Sequence, residues 1–127
     1  MKIGLDIDGT ISECPELFSI LAKGVMVDGG EVHVISFRNE DYRPQTVEQL
    51  EQWEIWYSHL HLAPPEVHDP GPWKAGLIRE YHIEAMFEDS PEVLSHLPIN
   101  VHRIWLCNPA IFDMRRVVDT LRTPPFV

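Results

Sequence analysis

The sequence predicts an α/β fold, a three-layer α/β/α sandwich around a Rossmann-like five-stranded, mainly parallel sheet with no cap domain. Two observations predict it. Short apolar strand signals recur at about residues 2–7, 31–36, 65–68, 84–88 and 101–106, and helical patterns fill the intervals between them. Alternation of this kind implies parallel strands joined by right-handed crossovers.

Each element has a local cause. Met1-Lys2-Ile3-Gly4-Leu5 is a strand run that delivers an acidic cluster, Asp6-Ile7-Asp8-Gly9-Thr10. The first helix opens at Pro15, whose fixed φ suits a first helical position, and is expected to end near Lys23-Gly24. A second runs from Pro44 to Leu60, with Val47, Leu50, Trp53, Tyr57 and Leu60 as a core-facing stripe and Glu48, Glu51 and Glu54 on a solvated face. Asp69-Pro70-Gly71-Pro72 reads as a turn before a helix from about Trp73 to Tyr81. Ser90 is the N-cap of a short helix opened by Pro91, and a last helix at about 112–121 carries Met114, Val117, Val118 and Leu121 at helical spacing.

Length and composition bound the rest. With 127 residues, 44% hydrophobic and 24% charged, the chain is expected to be one domain over 1–127. It has no run of eighteen apolar residues and no signal-peptide pattern at Met1-Lys2, so no membrane partner and a cytoplasmic location are expected. Cys14 and Cys107 lack metal-ligand spacing and read as unpaired thiols. The seven histidines show no ligand spacing and read as surface or half-buried residues. A net charge of -10 argues against an extended nucleic-acid surface, which needs Lys and Arg to neutralise phosphates, although Arg38, Arg43, Lys74 and Arg79 leave room for a small basic patch.

The chemistry concentrates just after the strands. Residues two apart on a strand share a face, so Asp6 and Asp8 project together where the first strand ends, and Gly9 permits the sharp departure that follows. Carboxylates this close repel unless a cation or proton sits between them. In an open parallel sheet the site lies beyond the carboxyl ends of the strands, which adds Ser36 with Arg38, then Lys74, then Glu88 and Asp89. A carboxylate nucleophile, a hydroxyl, an ammonium and a further carboxylate are the parts that phosphoryl transfer around Mg²⁺ needs.

This ordered set resembles the haloacid dehalogenase-like hydrolase superfamily, most of whose members are magnesium-dependent phosphatases. Asp6-Ile7-Asp8-Gly9-Thr10 resembles its first motif, Ser36 after Val32-His33-Val34-Ile35 its second, Lys74 its third and Glu88-Asp89 its fourth. The resemblance implies Asp6 as nucleophile and magnesium ligand, and Asp8 as general acid, then base, with its backbone carbonyl as a further ligand. Asp8 is then expected to hold a proton while Asp6 stays ionised. It also implies Ser36 and Lys74 on the transferring phosphoryl group, and Asp89 on the metal with Glu88 assisting. Ser36-Phe37-Arg38 resembles the second motif of the polynucleotide 3'-phosphatase branch, in which Arg38 touches phosphate; the competing reading pairs Arg38 with Glu40 or Asp41.

The intervals Thr10–Ser36 and Ser36–Lys74 hold one helix each, with a short edge strand in the second, so no cap is expected. A capless site suits a phosphate on a large molecule, or a small phosphorylated substrate covered by a neighbouring copy in a homo-oligomer. The rival classes are a phospho-accepting receiver domain, which carries its Asp after the third strand and its Lys after the fifth, and a regulatory protein of the same fold without turnover.

Overall fold

The computed structural model describes residues 1–108; the helix expected at 112–121 lies outside them. In chain order the elements are β1 (Lys2–Leu5), α1 (Pro15–Val27), β2 (Glu31–Asn39), α2 (Arg43–Gln52), β3 (His59–Ala63), α3 (Pro70–Glu80), β4 (Ala85–Glu88), α4 (Pro91–Ser95) and β5 (His102–Trp105). The strands form one sheet in the order β3-β2-β1-β4-β5. Every pairing is parallel: β1 with β2 and β4, β2 with β3, and β4 with β5. The expected α/β/α architecture stands, with a sheet parallel throughout.

Alternation along the strands splits the core into two layers. Ile3, Leu5, Val32 and Val34 join Phe18 and Ala22 of α1 and Leu50 of α2 on one face. Ile35 and Met86 join Ala75 and Ile78 of α3 and Leu94 of α4 on the other. The chain runs outward from β1 to β3, then crosses back to place β4 on β1's other side. The carboxyl ends of β1 and β4 therefore meet at the switch point of the sheet, where such folds leave a crevice.

Two elements depart from the sequence expectation. The second helix stops at Gln52 rather than Leu60, because Glu54 takes a left-handed φ of 55° and Ile55 N–H bonds back to Leu50 C=O while Glu54 N–H bonds to Glu51 C=O. This is a Schellman cap, and the residue in its left-handed position is a glutamate where glycine is the usual signal. Tyr57 and Leu60 still pack on the core, but from the loop and from β3, and Val47 is exposed. The third strand is accordingly His59–Ala63 and not 65–68, since Pro64 and Pro65 offer no N–H to a ladder.

Helix boundaries shift by smaller amounts. α1 runs on to Val27 and is closed by Gly29 at φ 85°. α3 starts at Pro70, with the Asp69 carboxylate accepting from Gly71 N–H at 3.2 Å. The turn residues are thus the helix's first turn, where proline costs no hydrogen bond, and Lys74 lies a full turn inside. Ser90 caps α4 by accepting from Val93 N–H at 3.4 Å.

Candidate active site

β1 ends in a tight turn that presents its two carboxylates differently. Asp6 N–H bonds to Phe87 C=O of β4, and Thr10 and Ser12 N–H both bond to Ile7 C=O, folding the chain back over the strand end. Gly9 sits at φ 84°, and a Cβ there would lie 2.2 Å from Asp89 Oδ2. Glycine is therefore required twice, for the turn and for the approach of Asp89.

Asp6 is buried, with Oδ1 accepting from Lys74 Nζ at 2.7 Å and Oδ2 from the Thr10 hydroxyl at 3.2 Å. Lys74 Nζ also reaches Glu88 Oε2 at 2.8 Å, so one ammonium from α3 bridges the ends of β1 and β4. One carboxylate oxygen from each of Asp6, Glu88 and Asp89 lies within 4.8 Å of the other two. Burial pushes Asp6 up to about 6 against the pull of Lys74. Burial first, and Asp6 second, push Glu88 up to about 8. Burial pulls Lys74 down, but Asp6 and Glu88 outweigh it and hold the ammonium above its usual value.

The acidic trio fits a hard divalent cation. Its donors are all carboxylate oxygens, the set that Mg²⁺ prefers, and burial, with the neighbouring carboxylates adding to it, raises both Asp6 and Glu88. Asp8 stands apart. Its Oδ2 and Oδ1 accept from Arg38 Nε at 2.9 Å and Nη2 at 2.8 Å, a two-pronged pair that holds the carboxyl below its ordinary range. Glu40 pairs with Arg43 instead of Arg38.

With no cation at the site, burial raises Asp6 and Arg38 lowers Asp8; the order expected from the sequence, Asp6 ionised and Asp8 protonated, belongs to the site with Mg²⁺ bound. Ser36 is buried at the site end of β2, its hydroxyl accepting from Arg38 N–H at 3.2 Å. Pattern reading missed three supports: Thr10 on Asp6, and Gln49 (2.6 Å) with Thr46 (3.5 Å) of α2 holding the Arg38 guanidinium. Thr10 was visible inside the first motif. Gln49 and Thr46 carry no sequence signal, since only the packing of α2 brings them to Arg38.

No protein-family model matches the sequence, and no curated protein is similar enough to align with it. Among solved structures, the fold is similar to a chain of "Structure of Pnkp1/Rnl/Hen1 complex", with a TM-score of 0.67 at 19% identity over 82% of this chain and 45% of that one. A chain of "Structure of the Pnkp1/Rnl/Hen1 RNA repair complex" gives 0.65 and 19%, over 82% of this chain and 43% of that one. This chain spans less than half the length of either, and at such identity the likeness establishes the α/β fold.

Proposed function

We propose that the protein is a capless phosphomonoesterase of the haloacid dehalogenase-like type. The observation that carries the reading is the Asp6 carboxylate, held by Lys74 at 2.7 Å within an all-oxygen acidic trio at the switch point. Asp6, Glu88 and Asp89, with the Asp8 backbone carbonyl, would hold Mg²⁺, which when bound offsets the trio's charge and withdraws electron density from the phosphoryl group.

An Asp6 oxygen attacks phosphorus as the ester P–O bond breaks, giving an aspartyl-phosphate and an alkoxide that takes a proton from Asp8. Asp8 then takes a proton from water, the water oxygen attacks phosphorus, and the P–O bond to Asp6 breaks to release phosphate. In the resting site the Asp8 carboxylate pairs with Arg38, so its acid role needs Arg38 to transfer its hydrogen bonds to the incoming phosphoryl oxygens and Asp8 to take up a proton from solvent. Ser36 and Lys74 complete the binding of those oxygens and stabilise the charge that develops on them.

A polynucleotide 3'-end is the narrower reading. It is supported by the Ser36-Phe37-Arg38 triplet at the end of β2 and by the RNA repair complex to which a structure similar in fold belongs. A phosphate at a chain end would enter an open site without a neighbouring copy to cover it.

The test is hydrolysis of p-nitrophenyl phosphate with Mg²⁺, with EDTA, and by Asp6→Asn. Chelation should abolish turnover, and the substitution should lower kcat by roughly a thousandfold or more, as loss of a covalent nucleophile does elsewhere. Undiminished activity in either arm excludes this mechanism.

A further inference from the structure

Two aromatic residues stand immediately beside the phosphate-handling residues, and the proposed chemistry does not use them. Phe37 lies between Ser36 and Arg38 on β2, and Trp73 directly precedes Lys74 on α3. Their rings meet edge to face, with centroids 6.1 Å apart and planes at 60°. Trp73 is anchored against the core cluster of Ile35, Ala75 and Ile78, whereas Phe37 is 38% exposed. An anchored indole thus supports an exposed phenyl ring next in sequence to Ser36 and Arg38. Trp56, the exposed indole among the described residues, is taken by Lys23 of α1, whose Nζ lies 5.7 Å from the ring centroid.

Arg38 bonds the Ser36 hydroxyl through its N–H and reaches Gln49 and Thr46 of α2, whereas Phe37 meets Trp73 of α3. The pair Ser36 and Arg38 and the Phe37 ring thus address different sides of the end of β2, where its register with β3 shifts. A phosphate bound by the first pair and a ring resting on Phe37 belong to one ligand only when a spacer joins them. A ribose is such a spacer; a phosphotyrosine, whose ring carries the phosphate oxygen directly, has none.

We propose that Phe37, backed by Trp73, is a specificity ledge on which the nucleobase next to the scissile phosphate stacks, so that the substrate class is nucleotidyl phosphomonoesters. The proposal rests on the phosphatase reading and deepens it. It also resolves a tension within the chain. At a net charge of -10, affinity for a nucleic-acid end cannot come from a row of cations. Stacking on a neutral ring supplies affinity for a single terminal nucleotide without one.

The experiment compares kcat/KM, by phosphate release with Mg²⁺, for a dinucleotide bearing a 3'-phosphate and for the same molecule with its terminal base removed. Wild type should favour the base-bearing substrate by roughly 5- to 100-fold, carried in KM. Phe37→Ala should bring that ratio to about one, and Phe37→Tyr should retain it, which separates loss of stacking from loss of folding. A second arm measures binding of adenosine 3'-phosphate and ribose 3-phosphate to Asp6→Asn protein by isothermal titration calorimetry, with the same ratio expected.

No turnover of any substrate, together with base-dependent binding, would refute the phosphatase reading and leave the ledge standing. Equal kcat/KM for the two dinucleotides would overturn the ledge and leave the phosphatase intact. A phosphotyrosine peptide whose turnover falls in Phe37→Ala, with no base effect, would assign the ring to a different substrate and equally overturn it.

Discussion

Two ion pairs flank the same crevice, and they are built for opposite purposes. Lys74 with Asp6 and Glu88 is sealed, its three side chains only 3%, 7% and 2% exposed. Arg38 with Asp8 is open, at 24% and 65%. Removing one partner of a buried pair strands charge in a low-dielectric interior, while an exposed pair is replaced by water at little cost. The first therefore fixes geometry by being unable to rearrange. The second can be broken and remade by whatever enters the site, as the proposed phosphatase reading requires of it.

The sharpest way to break that comparison is to delete the two cations in turn. Lys74→Met should destabilise the protein by about 3–5 kcal/mol, and Arg38→Met by no more than about 1 kcal/mol. For a domain of this size that separates thermal midpoints by on the order of 15 °C, read by circular dichroism. Equal midpoints would mean that the buried trio is solvated in solution and that its rigidity argument fails.

A divalent cation sharpens the contrast from the acidic side. Because it would bind the folded trio and not the unfolded chain, millimolar Mg²⁺ should raise the wild-type midpoint by several degrees, reversibly with EDTA. Asp89→Asn should remove the rise, whereas Asp8→Asn should lose only part of it, its side chain lying outside the trio. A response equal in all three proteins would disconnect the acidic trio from metal binding.

A third polar cluster contains no buried opposite charge and should behave differently again. β2 and β3 pair in register to bring together His33, His59 and His61 under Tyr81, with His33 Nδ1 3.0 Å from His61 Nε2 and Glu31 3.5 Å from His33 Nε2. Burial, then His33 and His59, push His61 down to about 4, with Arg43 adding to the shift. Burial likewise lowers His33 against the opposing pull of Glu31.

Above pH 6.5 His61 is neutral in both states and contributes no pH dependence. Between about 6.5 and 4 the unfolded chain binds a proton that the folded one refuses, so stability falls as the pH falls. His61→Gln should flatten that part of the profile relative to wild type in urea melts taken across the range. A parallel profile in the variant would place the acid sensitivity elsewhere.

The smallest expected effect concerns the residue that hid a helix end. Glu54 and His82 both hold φ of 55°, each closing a Schellman cap where glycine is relaxed. Glu54→Gly should therefore raise stability by up to about 1 kcal/mol, partly offset by the freedom glycine gains in the unfolded chain. A clear loss on denaturant unfolding would show that the glutamate side chain contributes more than its backbone strain costs.

Legibility follows the range of the forces involved. The alternation of strands and helices, the turn at Gly9, the caps at Ser90 and Pro15, and the acidic pair at the end of β1 were all readable, since each is settled within a few residues. The extent of α2 and the position of β3 were not. Trp53, Tyr57 and Leu60 continue a helical spacing, and the left-handed residue that interrupts it is a glutamate that only the packing of Ile55 (4% exposed) obliges to adopt its strained angle.

The sequence by itself determined the α/β layering and which carboxylates, hydroxyl and cations stand at strand ends, because strand period, turn chemistry and charge are local properties. Only the tertiary structure decided that Lys74 would be shared between Asp6 and Glu88, that Asp8 would face Arg38 instead of the acidic trio, and that three scattered histidines would meet. Those outcomes depend on register and crossover, which bring together residues up to 68 positions apart. The physical reason is burial: hydrophobic packing of α3 on the sheet places an ammonium where water cannot compensate charge, and the nearby carboxylates must then do so.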